Sequence, residues 1–147
     1  MNASIVEKAN QNIKNIKGCH KAYFGVIDEA GFPSVSTVSP VRTENIFEVY
    51  FTTSADSNKA KRLQKNNKAS ICYCVNDNNI TLVGEAEVLT DQETKDRCWM
   101  DWFIDHYPGG KTDPNYVVIK FTTKRASLWV DSEAAEFNTS LPPFTSA

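Results

Sequence analysis

Several things are scarce in this chain, and each scarcity removes a class of function. No apolar run approaches the roughly 18–20 residues that a helix needs to cross a bilayer. Met1–Lys17 is polar and amphipathic, with no apolar block ahead of a small-residue cleavage site, so it does not read as a signal peptide. The four cysteines, Cys19, Cys72, Cys74 and Cys98, contain no Cys-x-x-Cys pair. Only two histidines, His20 and His106, are there to join them, so zinc-site spacing is absent. Reduced thiols in a cytoplasmic protein are the expectation. Excess positive charge is lacking too. A net charge of −2 argues against general attraction to nucleic acid or to an anionic membrane. A Gly-x-Gly-x-x-Gly dinucleotide fingerprint is missing. The histidines have no Ser or Cys arrangement that suggests a hydrolytic triad. Asp101, Asp105, Glu85 and Glu87 form no readable carboxylate pair.

What remains is a globular chain of 147 residues, suited to one domain with a core of its own. Ile5, Ala9, Ile13 and Ile16 recur at near-helical spacing before Gly18, which predicts a helix over 3–17. Strands are expected over 21–28, 33–41 and 46–52, the first closed by the turn Asp28-Glu29-Ala30-Gly31. A basic helix over 57–66 follows, then strands over 69–76 and 80–89, with Gly84 marking a bend or bulge. Thr90-Asp91-Gln92-Glu93 has the form of a capping box and predicts a second long helix. Its apolar face would carry Trp99, Trp102, Phe103 and His106, with Pro108-Gly109-Gly110 as the stop. Two last strands are expected over 116–123 and 126–131, and 132–147 reads as a loosely held tail. Many short antiparallel strands with few helices point to a mainly β fold, a small barrel with flanking helices. One domain over 1–131 and a tail over 132–147 is the expected division.

The stretch with the most chemistry in it is Phe51 to Leu63. Here an apolar strand runs into the hydroxyls of Thr52, Thr53 and Ser54, then into a helix start. Ser57 is a natural N-cap, and Lys59, Lys61 and Arg62 bring positive charge. Open backbone N–H groups and the helix dipole favour an anion there, a phosphate above all. An ordinary capped helix with a solvated charged face would show the same pattern. Lys61 and Arg62 are expected to face solvent. Trp99 and Trp102 fit core or dimer packing better than ligand contact. Cys72 and Cys74, two apart on a strand, lack the geometry of a redox pair and are expected to be buried and inert.

The chain resembles the pyridoxamine 5′-phosphate oxidase-like, FMN-binding split-barrel family, nearest to its small general-stress-protein 26-like branch. The residues that carry the resemblance are Gly31 to Val41, Phe51-Thr52-Thr53-Ser54, Ser57-Asn58-Lys59 and Leu63-x-x-Asn66, then Trp99 to Phe103, Pro108-Gly109-Gly110, Asp113-Pro114 and Trp129. The resemblance implies a homodimer with FMN in clefts between the subunits. It implies that Ser57 and Lys59 hold the phosphate, with Thr53 near the phosphate or the ribityl chain and with Thr52 and Asn58 also among the cofactor-binding residues. Val38, Ser39 and Pro40 would lie along the flavin ring, largely through backbone, and Trp129 near the cofactor. Two family cations are missing: the position of Asn58 is commonly basic, and Thr37 aligns with an arginine. The arginine–histidine pair that binds substrate in true pyridoxamine phosphate oxidases is also missing, since the chain ends Leu141-Pro142-Pro143-Phe144-Thr145-Ser146-Ala147.

The expected function is therefore an FMN-binding oxidoreductase that is not a true pyridoxamine phosphate oxidase. A nicotinamide nucleotide or another small molecule would be its partner in turnover, and no catalytic side chain stands out. Two alternatives stay open. One is a flavin-binding stress or sensor protein without turnover. The other is an OB-like binder of single-stranded nucleic acid, which the acidic balance opposes.

Overall fold

The computed structural model describes residues 3–14 and 21–139. Elements run in the order α1 (Ala3–Lys14), β1 (Ala22–Ile27), β2 (Pro33–Val38), β3 (Glu48–Ser54), α2 (Asn58–Lys65), β4 (Lys68–Val75), β5 (Asn78–Leu89), α3 (Gln92–Cys98), two short 3-10 helices (Asp101–Asp105 and Gly110–Thr112), β6 (Tyr116–Val130) and β7 (Glu133–Asn138). Cys19, His20, the expected helix end near Lys17 and the Leu141–Ala147 terminus lie outside the described residues. No described helix is long and apolar enough to cross a membrane.

All the strand pairs are antiparallel, in the order β2-β1-β4-β5-β6-β3. A single bridge between Pro40 and Phe51 brings the two ends of that order together, and the Val41 amide donates to the Tyr50 carbonyl at 2.7 Å. The fold is thus mainly β, a split barrel. Alternation drives it: Val49, Phe51 and Thr53 on β3 point inward while Tyr50, Thr52 and Ser54 point out. Phe24, Phe51 and Phe121 meet edge to face in the main core, on which α1 sets Ile5, Val6, Ala9 and Ile13. A second cluster of Val41, Cys98, Phe103, Tyr107, Tyr116 and Val118 lies under the 3-10 segment.

Three expectations are corrected. The second long helix is instead α3, seven residues long, followed by a break at Trp99 and Met100 and then a 3-10 turn. Trp99 has extended backbone angles (φ −63°, ψ 136°), so Trp99, Trp102 and His106 do not share one helix face. The cap is Asp91 rather than Thr90: its carboxylate accepts from the Thr94 amide at 3.0 Å and the Thr94 hydroxyl at 2.7 Å. Those two bonds hold the Asp91 carboxyl below the usual carboxylate range. Asp91→Ala is expected to lower stability through the lost cap, read as an earlier midpoint in chemical denaturation.

The second correction concerns the end of the sheet. The two expected last strands are one, β6, in which Lys124 is an extra residue: Val83 pairs with Arg125 and Gly84 with Thr123. The bulge falls within the polar stretch Thr122 to Arg125. Third, the expected tail begins with β7, which pairs with β6 and sets Ala135 and Phe137 against the core. The β6–β7 turn is Asp131-Ser132, both with positive φ (50° and 64°). The ordered unit therefore passes the expected limit at 131.

Candidate functional site

The seam where β2 and β3 come together is open beside the barrel wall. Beyond Val38 the chain leaves the ladder and touches β3 through the Pro40–Phe51 bridge. The outward side chains of both strands line a cavity there. It measures about 240 Å³ and is bounded by Lys21, Thr37, Val38, Ser39, Thr52, Ser54, Lys59, Trp102, Phe103, His106 and Tyr107. An adjoining cleft of about 200 Å³ shares Ser39 and Trp102 with it and continues past Pro40, Val41, Arg42 and Met100. A cavity of this size with an open extension suits a small molecule.

The two ends of the cavity differ chemically. One is cationic and rich in hydroxyls: Lys21, Lys59, Thr37, Ser39, Thr52 and Ser54. Among the described residues, no carboxylate lines it. Lys59 is half-buried, and burial holds its ammonium below the ordinary lysine value. Among the described residues it has no ion-pair partner, unlike Arg62, which is held by Glu29 at 3.1 Å. A desolvated, unpaired cation is costly unless an anion joins it. Lys21 donates to Ser39 Oγ at 2.8 Å. Because that oxygen accepts from Lys21, the Ser39 hydroxyl hydrogen is free to donate into the cavity.

The other end is aromatic, and it is held by packing. Phe103 and Tyr107 anchor the 3-10 segment in the second core, against Tyr116 at ring distances of 5.8 and 5.2 Å. Tyr107 is also tied to β3 by a 3.3 Å hydrogen bond between its hydroxyl and Thr52 Oγ1. This anchoring leaves Trp102 and His106 at the cavity, Trp102 edge-on to Phe103 at 4.6 Å and to His106 at 5.9 Å. Asp113 fixes the following Pro108-Gly109-Gly110 turn by accepting from the Gly109 and Asn115 amides. Those bonds hold its carboxyl low.

Four residues singled out in the sequence meet in the cavity: Val38, Ser39, Thr52 and Lys59. Pro40 borders the adjoining cleft. Thr53 faces inward and donates to Ser57 Oγ at 3.0 Å. Ser57 caps α2, its Oγ accepting from the Ala60 amide at 3.2 Å. With both acceptances made, what Ser57 has left to offer is its own hydroxyl hydrogen. Asn58 opens the helix and is exposed, outside the cavity lining. Trp129 is 48 % exposed at the far end of β6, opposite Asn79, and does not line the cavity of its own chain. Arg62 turns away to Glu29 and Ser34. The thiol expectation is also corrected: Cys98 is buried, Cys72 is half-buried, and Cys74 is exposed. Ser54, one of the strand-end hydroxyls of the sequence pattern, lines the cavity too, whereas Lys21, Tyr107 and the placement of Trp102 and His106 have no signal in that pattern. Lys21 becomes visible only through register, since Ala22 opposite Val38 sets Lys21 beside Ser39.

A model of the family described as "Pyridoxamine 5'-phosphate oxidase like" matches residues 7–142. The chain belongs to that family. A crystal structure from Clostridium acetobutylicum, of a protein related to general stress protein 26 of B. subtilis, superposes with a TM-score of 0.81 at 22% identity, over 95% of this chain and 98% of that one. The general stress FMN/FAD binding protein of Xanthomonas citri gives 0.70 at 21% identity, over 88% and 92%. A heme binding protein from Mycobacterium smegmatis gives 0.73 at 15% identity, over 95% of this chain and 60% of that one. At these identities the structural matches establish the fold. No curated protein matches the chain in sequence. Membership in the pyridoxamine 5′-phosphate oxidase-like family accounts for the split barrel.

Proposed function

We propose that this chain binds FMN at the seam cavity and works as a flavin-dependent oxidoreductase. The observation that carries the reading is the half-buried Lys59 in a cavity where, among the described residues, it has no ion-pair partner and no carboxylate lines the wall. Lys59 and the hydroxyls of Ser39, Thr52 and Ser54 would hold the phosphate end. Val38 and Pro40 on one side and Trp102 on the other would border the ring. Bound flavin supplies hydride chemistry at its ring N5. The chain contributes position, hydrogen bonds and the shielding of Trp102 and Tyr107. The Xanthomonas relative named as an FMN/FAD binding protein supports a flavin. The Mycobacterium relative makes haem the competing ligand, and a visible spectrum separates the two.

Purified protein is expected to carry flavin, or to quench added FMN fluorescence with a saturable curve. Protein that neither carries nor takes up flavin overturns the reading. Trp102→Ala is expected to remove most of the FMN-dependent quenching of tryptophan fluorescence while leaving the fold intact. An unchanged quench would take Trp102 away from the ring. Turnover is checked separately, by stopped-flow reduction of the loaded protein with nicotinamide nucleotides. FMN binding without any accelerated reduction favours the non-catalytic, sensor-like alternative.

We also propose that two copies associate. Tyr23 and Val35, on paired strands β1 and β2, and Trp129 on β6 are exposed apolar side chains (48 %, 67 % and 48 %). Trp129 lies at the opposite end of β6 from Val118, the partner of Thr52. A Trp129 beside the cofactor therefore has to come from a second copy. Light scattering is expected to give a dimer. A monomer that still binds FMN tightly would remove Trp129 from the site.

A further inference from the structure

Two lysines reach the same cavity from different elements, Lys21 ahead of β1 and Lys59 in the first turn of α2, and among the described residues no carboxylate lines the space. Lys59 is the cation that the sequence pattern singles out, and Lys21 is not part of that pattern. We propose that Lys21 is the second cation of the anion subsite, and that Lys21 and Lys59 together select a terminal phosphate monoester over neutral tails and over singly charged diesters. The proposal rests on the flavin reading for its ligand. It goes beyond that reading by naming the second contact and the charge state selected.

The physical argument is one of charge matching. A phosphate monoester carries about −1.5 to −2 charge at pH 7. A single ammonium leaves part of that uncompensated in a partly desolvated space, and a second one balances it. Each phosphate of a dinucleotide's diphosphate bridge carries a single negative charge, so the pair is worth less there. Lys21 already spans to Ser39, at 2.8 Å, so its ammonium is directed to the cavity before any ligand arrives. The same bond turns Ser39 into a donor toward the anion. Thr37 brings a hydroxyl to the same cavity from β2. The register of β1 against β2 brings Lys21 to the neighbouring position, beside Ser39.

The test compares FMN, FAD and riboflavin on wild type, Lys21→Met and Lys21→Arg by fluorescence titration. Lys21→Met is expected to weaken FMN roughly tenfold or more, the scale of one charge-assisted contact. Riboflavin should change by less than about threefold, and Lys21→Arg should stay near wild type. Equal loss for FMN and riboflavin, or no loss for either, overturns the role of Lys21. Inorganic phosphate provides an arm that does not depend on flavin. Millimolar phosphate should raise the melting temperature of wild type, and the rise should shrink in Lys21→Met. A wild type that responds to phosphate and binds no flavin overturns the flavin reading and leaves Lys21 standing. A Lys21→Met variant with the full phosphate response overturns Lys21.

Discussion

Gly84→Ala is expected to destabilise the protein by about 3 kcal/mol or more, the scale of a backbone-level clash in a packed interior. A Cβ added at Gly84 would lie 2.0 Å from the Thr122 carbonyl oxygen and 3.1 Å from the Lys124 amide nitrogen. Both are backbone atoms, so no side chain can rotate away. The close approach follows from the bulge: the extra residue Lys124 lets β6 fold toward β5 at this point. Relief would require shifting β6, which at Thr123 also takes a backbone hydrogen bond to the Phe47 carbonyl at 2.9 Å. A loss of this size corresponds to a fall of about 6–12 °C in melting temperature for a chain near this length. Gly25→Ala is the control. It is another glycine on a strand of the same sheet, and its added Cβ would meet nothing nearer than 3.7 Å. A Gly84→Ala variant that melts with wild type would show that the bulge opens without cost.

The same bulge shows where the sequence could be read and where it could not. Gly84 in a β-rich run was a readable sign of a backbone irregularity. What it could not reveal was that the extra residue sits across the ladder, in β6, so that two expected strands are one. Turns marked by glycine were legible: Gly31 closes the β1–β2 hairpin with φ 86°. The Asp131-Ser132 turn was not, because two non-glycine residues take left-handed angles with no local signal, and β7 was lost with it. The apolar spacing of Trp99, Trp102 and Phe103 suggested a helix face. It is met instead by an extended break and a 3-10 turn that packs Phe103 against Tyr116. The strand-end hydroxyl of Thr52 and the α2 start with Lys59 are legible by pattern, whereas Val38 and Ser39 enter only through the family resemblance. The opposing aromatic wall and Lys21 depend on tertiary packing and register, which periodicity does not carry.

Lys59→Met offers the largest functional effect. The substitution keeps most of the stem and removes the ammonium. Loss of a charge-assisted phosphate contact should cost roughly 1.5–3 kcal/mol of FMN affinity, about ten- to a hundredfold. Riboflavin affinity should hold within about threefold. The apo protein should melt no lower than wild type, because the variant also removes the penalty of holding a charge in a partly buried place. That combination, a weaker ligand on an equally stable fold, separates a binding role from a folding defect. The pH dependence follows in sign. Burial lowers the folded-state value of Lys59 below the ordinary lysine value of 10.5. Between the lowered value and 10.5 the unfolded chain binds the extra proton, so the Lys59 contribution to apo stability improves as pH rises through that window. FMN affinity runs the other way: it is highest while Lys59 is protonated, below its folded-state value, and declines as pH passes through it. Lys59→Met should flatten that alkaline decline. A variant that binds FMN as wild type does, with the same alkaline profile, would place the phosphate away from Lys59 and the start of α2.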